Sequence, residues 1–391
     1  MSASHPVLRV GIAGVGVAGG GLIRAFANRP HLKLTAAADV RENALDLFHR
    51  QFDAETYSSV EEMSKSPNVD VVWVATPNHL HAEHAIVAAE HGKHVIVSKP
   101  LAVTIEQAGA MNEAAEKNDV KLMCGHTRSM AASIRTMAAM AQSGEYGKLG
   151  MVHCWKYSDW MYRPRMPYEL DVSQGGGVVF RQGAHEIDII RLIAGGVVKS
   201  VKGTTLQLDP RRPAPGSFVA YLTFADGTPA TAIYSGYGRF DTGEIIPGRP
   251  AFQHAQIATS PEDEARLKES MRYSEERAAR PERDDREDNT LGFYGFTLVT
   301  CERADFRESP NGIYVYGEGG RHEVPVQQAE SRGDNELEEM YQAVVNGREL
   351  VHDGRWGEAT LEVILGILES ARTGQEVTMS HQKPVWVSPA A

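Results

Sequence analysis

Cysteine is scarce in this chain. Cys124, Cys154 and Cys301 are the whole complement, widely spaced and odd in number. That excludes a disulfide framework and a cysteine-built zinc site, and it suits a reducing compartment. All three are expected to be small buried hydrophobes. Positive charge is also short: 40 Lys and Arg face 51 Asp and Glu, a formal charge of −11. Nucleic acid and anionic membrane surfaces need concentrated positive charge, so neither is expected as a partner. No apolar run approaches the roughly 20 residues needed to span a bilayer. Met1 to Val7 show neither the charged nor the apolar part of an export signal, so a cytoplasmic location is expected. No internal repeat is evident.

What the chain has is length and rhythm. At 391 residues it exceeds one ordinary compact core, and two domains are expected. Strand-like runs at Leu8 to Ala13, Lys33 to Ala38, Val69 to Ala75, His94 to Val97 and Val120 to Cys124 alternate with helical patterns. Those helices are Gly19 to Phe26, Glu42 to Phe52, Val60 to Ser64, His81 to His91 and Ile105 to Asn118. Such alternation predicts an α/β fold, a doubly wound parallel sheet covered on both faces. After Met130 the texture changes. A helix from Ser133 to Ser143 is followed by strand-like segments at Met151 to Tyr157, Val197 to Gln207, Phe218 to Phe224, Thr228 to Gly236, Gly292 to Cys301 and Ile313 to Tyr316. Turn pairs such as Asp226-Gly227 and Asn311-Gly312 predict a mostly antiparallel sheet in an α+β domain. The expected division is 1–128 for dinucleotide binding, 129–335 for substrate and oligomer contacts, and 336–391 as helices packing back on the first domain. Pro261 to Asn289 is dense in charge and reads as a solvated helix or excursion.

Four segments carry chemistry. In the first, Gly14, Gly16 and Gly19 form G-x-G-x-x-G after a strand and before a helix, with Asp39 at the end of the next strand. Glycine permits the tight turn and a close pyrophosphate, the helix start supplies amide donors, and a carboxylate at Asp39 would hold a ribose diol. Gly14, Gly16, Val17, Ala18, Asp39 and Arg41 are thus candidate contacts to a nicotinamide dinucleotide. Asp39 favours NAD, while Arg41 leaves NADP possible. The second segment, Ala75 to His84, leaves a buried strand at its carboxyl end and offers Thr76, Pro77, Asn78 and His81 to the same cofactor. Its three histidines, His79, His81 and His84, lack a second ligand cluster, and no metal is expected. The third ends Ser98-Lys99-Pro100. Pro100 restrains the backbone around Lys99, whose amine could exchange a proton with a substrate hydroxyl; a plain surface lysine fits this segment equally well. In the fourth, Gly175 to Asp188, helical spacing puts Arg181, His185 and Asp188 on one face, with His185 a natural proton shuttle. A capped, partly buried structural histidine is the alternative.

Taken together these segments resemble the Gfo/Idh/MocA family, the glucose–fructose oxidoreductase and inositol dehydrogenase group. The stretch ATPNHLHAEHAIVAAEHGKHVIVSKPLAVT carries the likeness most specifically. The resemblance implies a Rossmann domain followed by an open-faced sheet domain that often mediates oligomerisation, so a homodimer or homotetramer is expected. By the family pattern Lys99 is the catalytic lysine and His185 the catalytic histidine. Two positions depart from that pattern: Ser98 stands where the family usually has Glu, and Arg181 where it usually has Asp. The second departure points away from a simple sugar. The stretch YSDWMYRPRMPYELDVSQGGGVVFRQGAHEIDIIRLI is similar to the phthalate 4,5-cis-dihydrodiol dehydrogenase branch. That similarity implies oxidation of a cyclic, carboxylated cis-diol to a catechol. Arg128, Tyr162, Arg163, Arg165, Arg181 and His185 are then the substrate candidates, because arginine matches a carboxylate bidentately. A sugar, cyclitol or glycoside dehydrogenase and a non-catalytic dinucleotide sensor are the competing expectations.

Overall fold

The computed structural model describes residues 6–16, 22–26, 29–163, 165–245, 294–326 and 334–385. Val17, Ala18 and Gly19 of the glycine turn, Pro164 and the charged stretch 261–289 lie outside them. The chain divides into two compact units, with breaks between Thr127 and Arg128 and again between Glu358 and Ala359.

In the first unit the strands are β1 (Leu8–Ala13), β2 (Leu32–Ala38), β3 (Glu55–Tyr57), β4 (Val71–Val74), β5 (His94–Ser98) and β6 (Leu122–Gly125); five come from the expected apolar runs, and β3, Glu-Thr-Tyr, carries no such signal. Between them lie the helices α1 (Glu42–Phe52), α2 (Val60–Ser64), α3 (His81–Glu90) and α4 (Ile105–Lys117). A short 3-10 turn, Ile23–Phe26, occupies the described part of the first expected helix. All six strands are parallel, in the order β3-β2-β1-β4-β5-β6. That is the doubly wound order, and it reverses direction between β1 and β4, where such sheets bind ligands. Every residue of β4 is buried, as a parallel strand covered on both faces must be.

The second unit begins with α5 (Ala132–Gln142), β7 (Leu149–Tyr157) and α6 (Ala184–Ile193). Next come β8 (Val198–Leu206), β9 (Ser217–Phe224), β10 (Pro229–Ser235), β11 (Phe296–Cys301), β12 (Ala304–Glu308), β13 (Gly312–Gly317) and β14 (Gly320–Pro325). The C-terminal elements are α7 (Asp334–Val345), α8 (Gly354–Thr373) and β15 (Val377–Thr378). The described strands form one sheet, β14-β13-β12-β11-β7-β10-β9-β8-β15, antiparallel except for the parallel pair β7–β10. Three of its strands, β12, β14 and β15, are not legible in the sequence. β14 reads Gly-Arg-His-Glu-Val-Pro and lies at the sheet's edge, where polar residues guard an unpaired backbone instead of alternating with apolar ones.

Alternation sets the two faces of this sheet. On β9 Phe218, Ala220, Leu222 and Phe224 are buried, whereas Val219 and Tyr221 are exposed. Trp155, Ile233 and Val219 stand in register across β7, β10 and β9, with Phe296 of β11 beside Trp155. Trp155 and Val219 are 38% and 43% exposed, so the outer face carries an apolar row.

The expected C-terminal block, 336–391, is divided between the units. α7 belongs to the first, while β15 and α8 beyond Glu358 belong to the second. Glycines explain this attachment: a Cβ on Gly203 of β8 would stand 3.0 Å from Ile367, and one on Gly366 would stand 2.8 Å from Val201. Helix α8 therefore lies closer against β8 than larger residues would allow, and β15 extends the same sheet.

Candidate active site

The glycine turn is built by backbone geometry. Gly14 has φ +89, and a Cβ there would come within 3.0 Å of the Ala75 carbonyl oxygen and 3.1 Å of the Thr76 amide. Only glycine tolerates both that conformation and that approach. Among the described residues a Cβ on Gly16 would meet nothing nearer than Arg41 Nη2 at 3.9 Å. Asp39 directly follows β2, beside the turn. Its carboxylate accepts from Val15 N at 3.0 Å and from Arg41 N, Nε and Nη2 at 3.0, 2.9 and 3.0 Å. Burial alone would raise its pKa, but the bonds from Arg41 and Val15 outweigh it and hold the carboxyl below the ordinary range. A glycine at φ +89 after the strand, with a fixed carboxylate beside it, fits a dinucleotide. Gly14, Gly16, Asp39 and Arg41 are the described residues that would hold it.

Beyond β4, the Thr76 hydroxyl lies 3.0 Å from His84 Nδ1, and Asn78 is buried. His81 is buried with its ring nitrogens 2.8 Å from the Pro100 carbonyl and 2.9 Å from the Thr76 carbonyl. It staples the turn after β4 to the turn after β5, so its part is to place backbone. Lys99 follows β5, partly exposed, with a cis bond to Pro100. Among the described residues no group of three or more His, Cys, Asp or Glu could hold a metal ion. No described helix is long and apolar enough to cross a membrane.

In the second unit the triple glycine is a packing joint. A Cβ on Gly176 would fall 2.6 Å from the Asp171 amide and 2.7 Å from the Glu169 carbonyl carbon. One on Gly177 would fall 3.2 Å from Ala214. Three chain segments meet there for want of side chains. The helix that follows opens with a π turn, Val179–Gly183, so the uniform α spacing assumed for Arg181 and His185 does not hold. Arg181 pairs with Glu169 at 3.0 Å. Arg165 reaches the same carboxylate at 3.4 Å, lies over the Trp160 ring at 3.9 Å and donates to the Trp160 carbonyl. Burial pulls the Arg165 pKa down to about 10 despite Glu169. Arg163 is committed to Asp159, at 2.5 Å. The Tyr162 ring stands 6.0 Å from that of Tyr237.

His185 is buried against Tyr294, ring centroids 4.8 Å apart. The Tyr294 hydroxyl donates to Gln182, and Arg128 lies within electrostatic reach of it. Asp188 accepts from Thr360 at 3.5 Å. Beside His185, Glu186 is fully buried and its carboxyl oxygens have no hydrogen-bond partner among the described residues. Burial drives its pKa well up, against the opposing pull of Lys156. Glu169, Tyr294, Glu186 and Arg212 were all missed in the sequence. Of these only Glu169 had a signal, standing four residues after Arg165.

Comparison with known proteins agrees with this architecture. Residues 8–126 match the family model described as an oxidoreductase family with an NAD-binding Rossmann fold, and 134–246 match the Gfo/Idh/MocA C-terminal domain. A 1-carboxy-3-chloro-3,4-dihydroxycyclohexa-1,5-diene dehydrogenase of Comamonas testosteroni is 31% identical, over 93% of this chain and 95% of its own. A solved structure from Bordetella bronchiseptica RB50 is 36% identical with a TM-score of 0.87, covering 95% of this chain and all of the other. The WlbA dehydrogenase of Bordetella pertussis, solved with NADH and UDP-GlcNAcA, is 20% identical with a TM-score of 0.72, and the match covers 96% and 98% of the two chains. At that identity the likeness concerns fold alone.

Proposed function

The chain belongs to the Gfo/Idh/MocA family of NAD-binding oxidoreductases, and on that premise we propose that it oxidises a ring carbinol of a carboxylated cyclic cis-diol to give a catechol. The observation that carries this reading is the charge balance around Glu169, where one carboxylate serves both Arg165 and Arg181. Such a guanidinium excess suits an anionic ring better than a neutral sugar. The Comamonas relative, whose name specifies a carboxylated dihydroxycyclohexadiene, supports it.

Bound NAD would supply the two-electron oxidant. The substrate hydroxyl gives its proton to the amine of Lys99, and His185 is the second candidate for moving that proton. The ring ketone so formed tautomerises to an aromatic diol, which makes the oxidation downhill. Asp39 and Arg41 set the ribose end, with NAD preferred and NADP admitted. The apolar row through Trp155 and Val219 is the surface through which we expect homodimers or homotetramers to form.

A panel of cis-dihydrodiols, with and without ring carboxylates, and of sugars and cyclitols tests the reading through absorbance of reduced nicotinamide. The expected result is turnover of carboxylated dihydrodiols above all others. Faster turnover of a neutral sugar or cyclitol would replace this reading with the polyol one, and absence of turnover across the panel would favour a sensor.

A further inference from the structure

The segment between β8 and β9 is anchored to the start of the Arg181 helix. Val178 N donates to the Pro215 carbonyl at 3.0 Å, and Ala214 packs on Gly177. In this segment Arg211 is committed to Asp209 by two bonds of 2.8 Å. Its neighbour Arg212 is different. The residue is only 9% exposed, yet among the described residues its guanidinium has neither an ion pair nor a hydrogen bond. Its backbone is held, donating to Asp209 and accepting from Gln207. Burial lowers its pKa, and the guanidinium feels Asp209, already paired with Arg211, ahead of Tyr237 and Glu169. Glu169 thus stands among three arginines, Arg165, Arg181 and Arg212, and can neutralise one.

A largely buried guanidinium without a partner is costly unless an anion completes it. We propose that Arg212 and Arg181 together form the subsite that takes a carboxylate of the ring substrate, with Glu169 as the positioning residue that holds Arg181. The division of labour follows from the contacts. Arg165 is spent on Trp160 and Glu169, Arg163 on Asp159, and Arg211 on Asp209. Arg212 therefore has an open fork of donors, and Arg181 is held in place by Glu169. Two forks match a ring with adjacent carboxylates, or one carboxylate shared between them. The inference rests on the carboxylated-substrate reading and deepens it by naming the residue that selects the charge.

The test is calorimetric titration of the NAD-saturated enzyme with benzoate, phthalate and uncharged benzamide. Wild type is expected to bind the two anions more tightly than benzamide. Arg212→Met should weaken the anions by about ten- to a hundredfold and leave benzamide unchanged. Arg212→Lys should fall between, because it keeps charge and loses the fork, and it serves if the Met variant does not fold. Glu169→Gln should cost less than either arginine variant, through a looser Arg181. If wild type does not distinguish benzoate from benzamide, the carboxylate reading fails and takes this inference with it. If wild type distinguishes them, and Arg181→Met abolishes the difference while both Arg212 variants do not, the carboxylate reading stands and Arg212 is overturned. Equal losses for anions and benzamide in the Arg212 variants would make its role structural and also overturn the proposal.

Discussion

The glycine turn of the first unit and the arginine cluster of the second are built on opposite principles. The turn is contiguous. Gly14, Gly16 and the strand before them act through backbone conformation, and Asp39 arrives from the adjacent strand in register. The cluster draws Arg165 and Glu169 from one loop, Arg181 from a π turn and Arg212 from a strand connection, joined where Gly176 and Gly177 let the segments touch. Local sequence specifies the first kind of site; the second depends on charges that only folding brings together. Mutations should therefore separate the sites cleanly, cofactor affinity responding to one and substrate charge to the other.

The largest effect is expected at Lys99. Lys99→Ala should lower kcat by about 10²- to 10⁴-fold while NADH affinity stays near wild type. Lys99→Arg should restore little, because a guanidinium does not give up its proton at working pH. Steady-state kinetics with NADH fluorescence titration checks this. Near wild-type turnover in Lys99→Ala would move the proton role to His185.

Next comes Arg181. Arg181→Ala should reduce kcat/KM for a carboxylated diol by on the order of 2–5 kcal/mol, expressed mainly in KM, and far less for a neutral analogue. Paired kinetics on the two substrates gives the answer, and equal losses would count against a carboxylate.

A smaller effect is expected at Arg41, and it sharpens the account of the first site. Among the described residues four bonds reach Asp39, from Val15 and Arg41, enough to fill its acceptor capacity. A ribose diol must displace the Arg41 side chain to reach it. Arg41→Ala should therefore tighten NADH severalfold and weaken NADPH by about tenfold, one charged contact being worth roughly 1.5–3 kcal/mol. Nicotinamide fluorescence titration reads both, and a parallel loss for the two cofactors would show that Arg41 merely shapes the turn.

The smallest effect concerns stability and needs no substrate. Glu186 loses its proton near its ordinary value of 4.5 when unfolded but holds it to higher pH when folded. Its stabilising contribution is complete below the unfolded value and declines as pH rises toward the folded one. Glu186→Gln, a neutral isostere, should melt with wild type near pH 4.5 and increasingly above it as pH rises, by about 2–4 °C for each kcal/mol. Thermal melts across that range decide it. A constant difference at all pH values would mean that Glu186 is not held protonated.

Legibility followed the same division. β1, α1, α2 and β5 stand within a residue of where periodicity puts them, because each buries its apolar face against immediate neighbours. At Arg181 the periodicity misled, since a π turn changes the spacing and a carboxylate twelve residues earlier claims the side chain. Arg212 lies between β8 and β9 with no motif around it, and only burial distinguishes Glu186 from other helix charges.

The sequence by itself determined the doubly wound sheet, the glycine turn with its carboxylate, the Lys-Pro pair and the family. These are local patterns, read over a strand and a turn. Only the tertiary structure decided which arginines are committed and which is left open. It also showed that His81 serves backbone and that a glutamate beside His185 is kept from water. Burial, and the claim of Glu169 on Arg181 across a π turn, depend on how segments pack, and no spacing of residues encodes them.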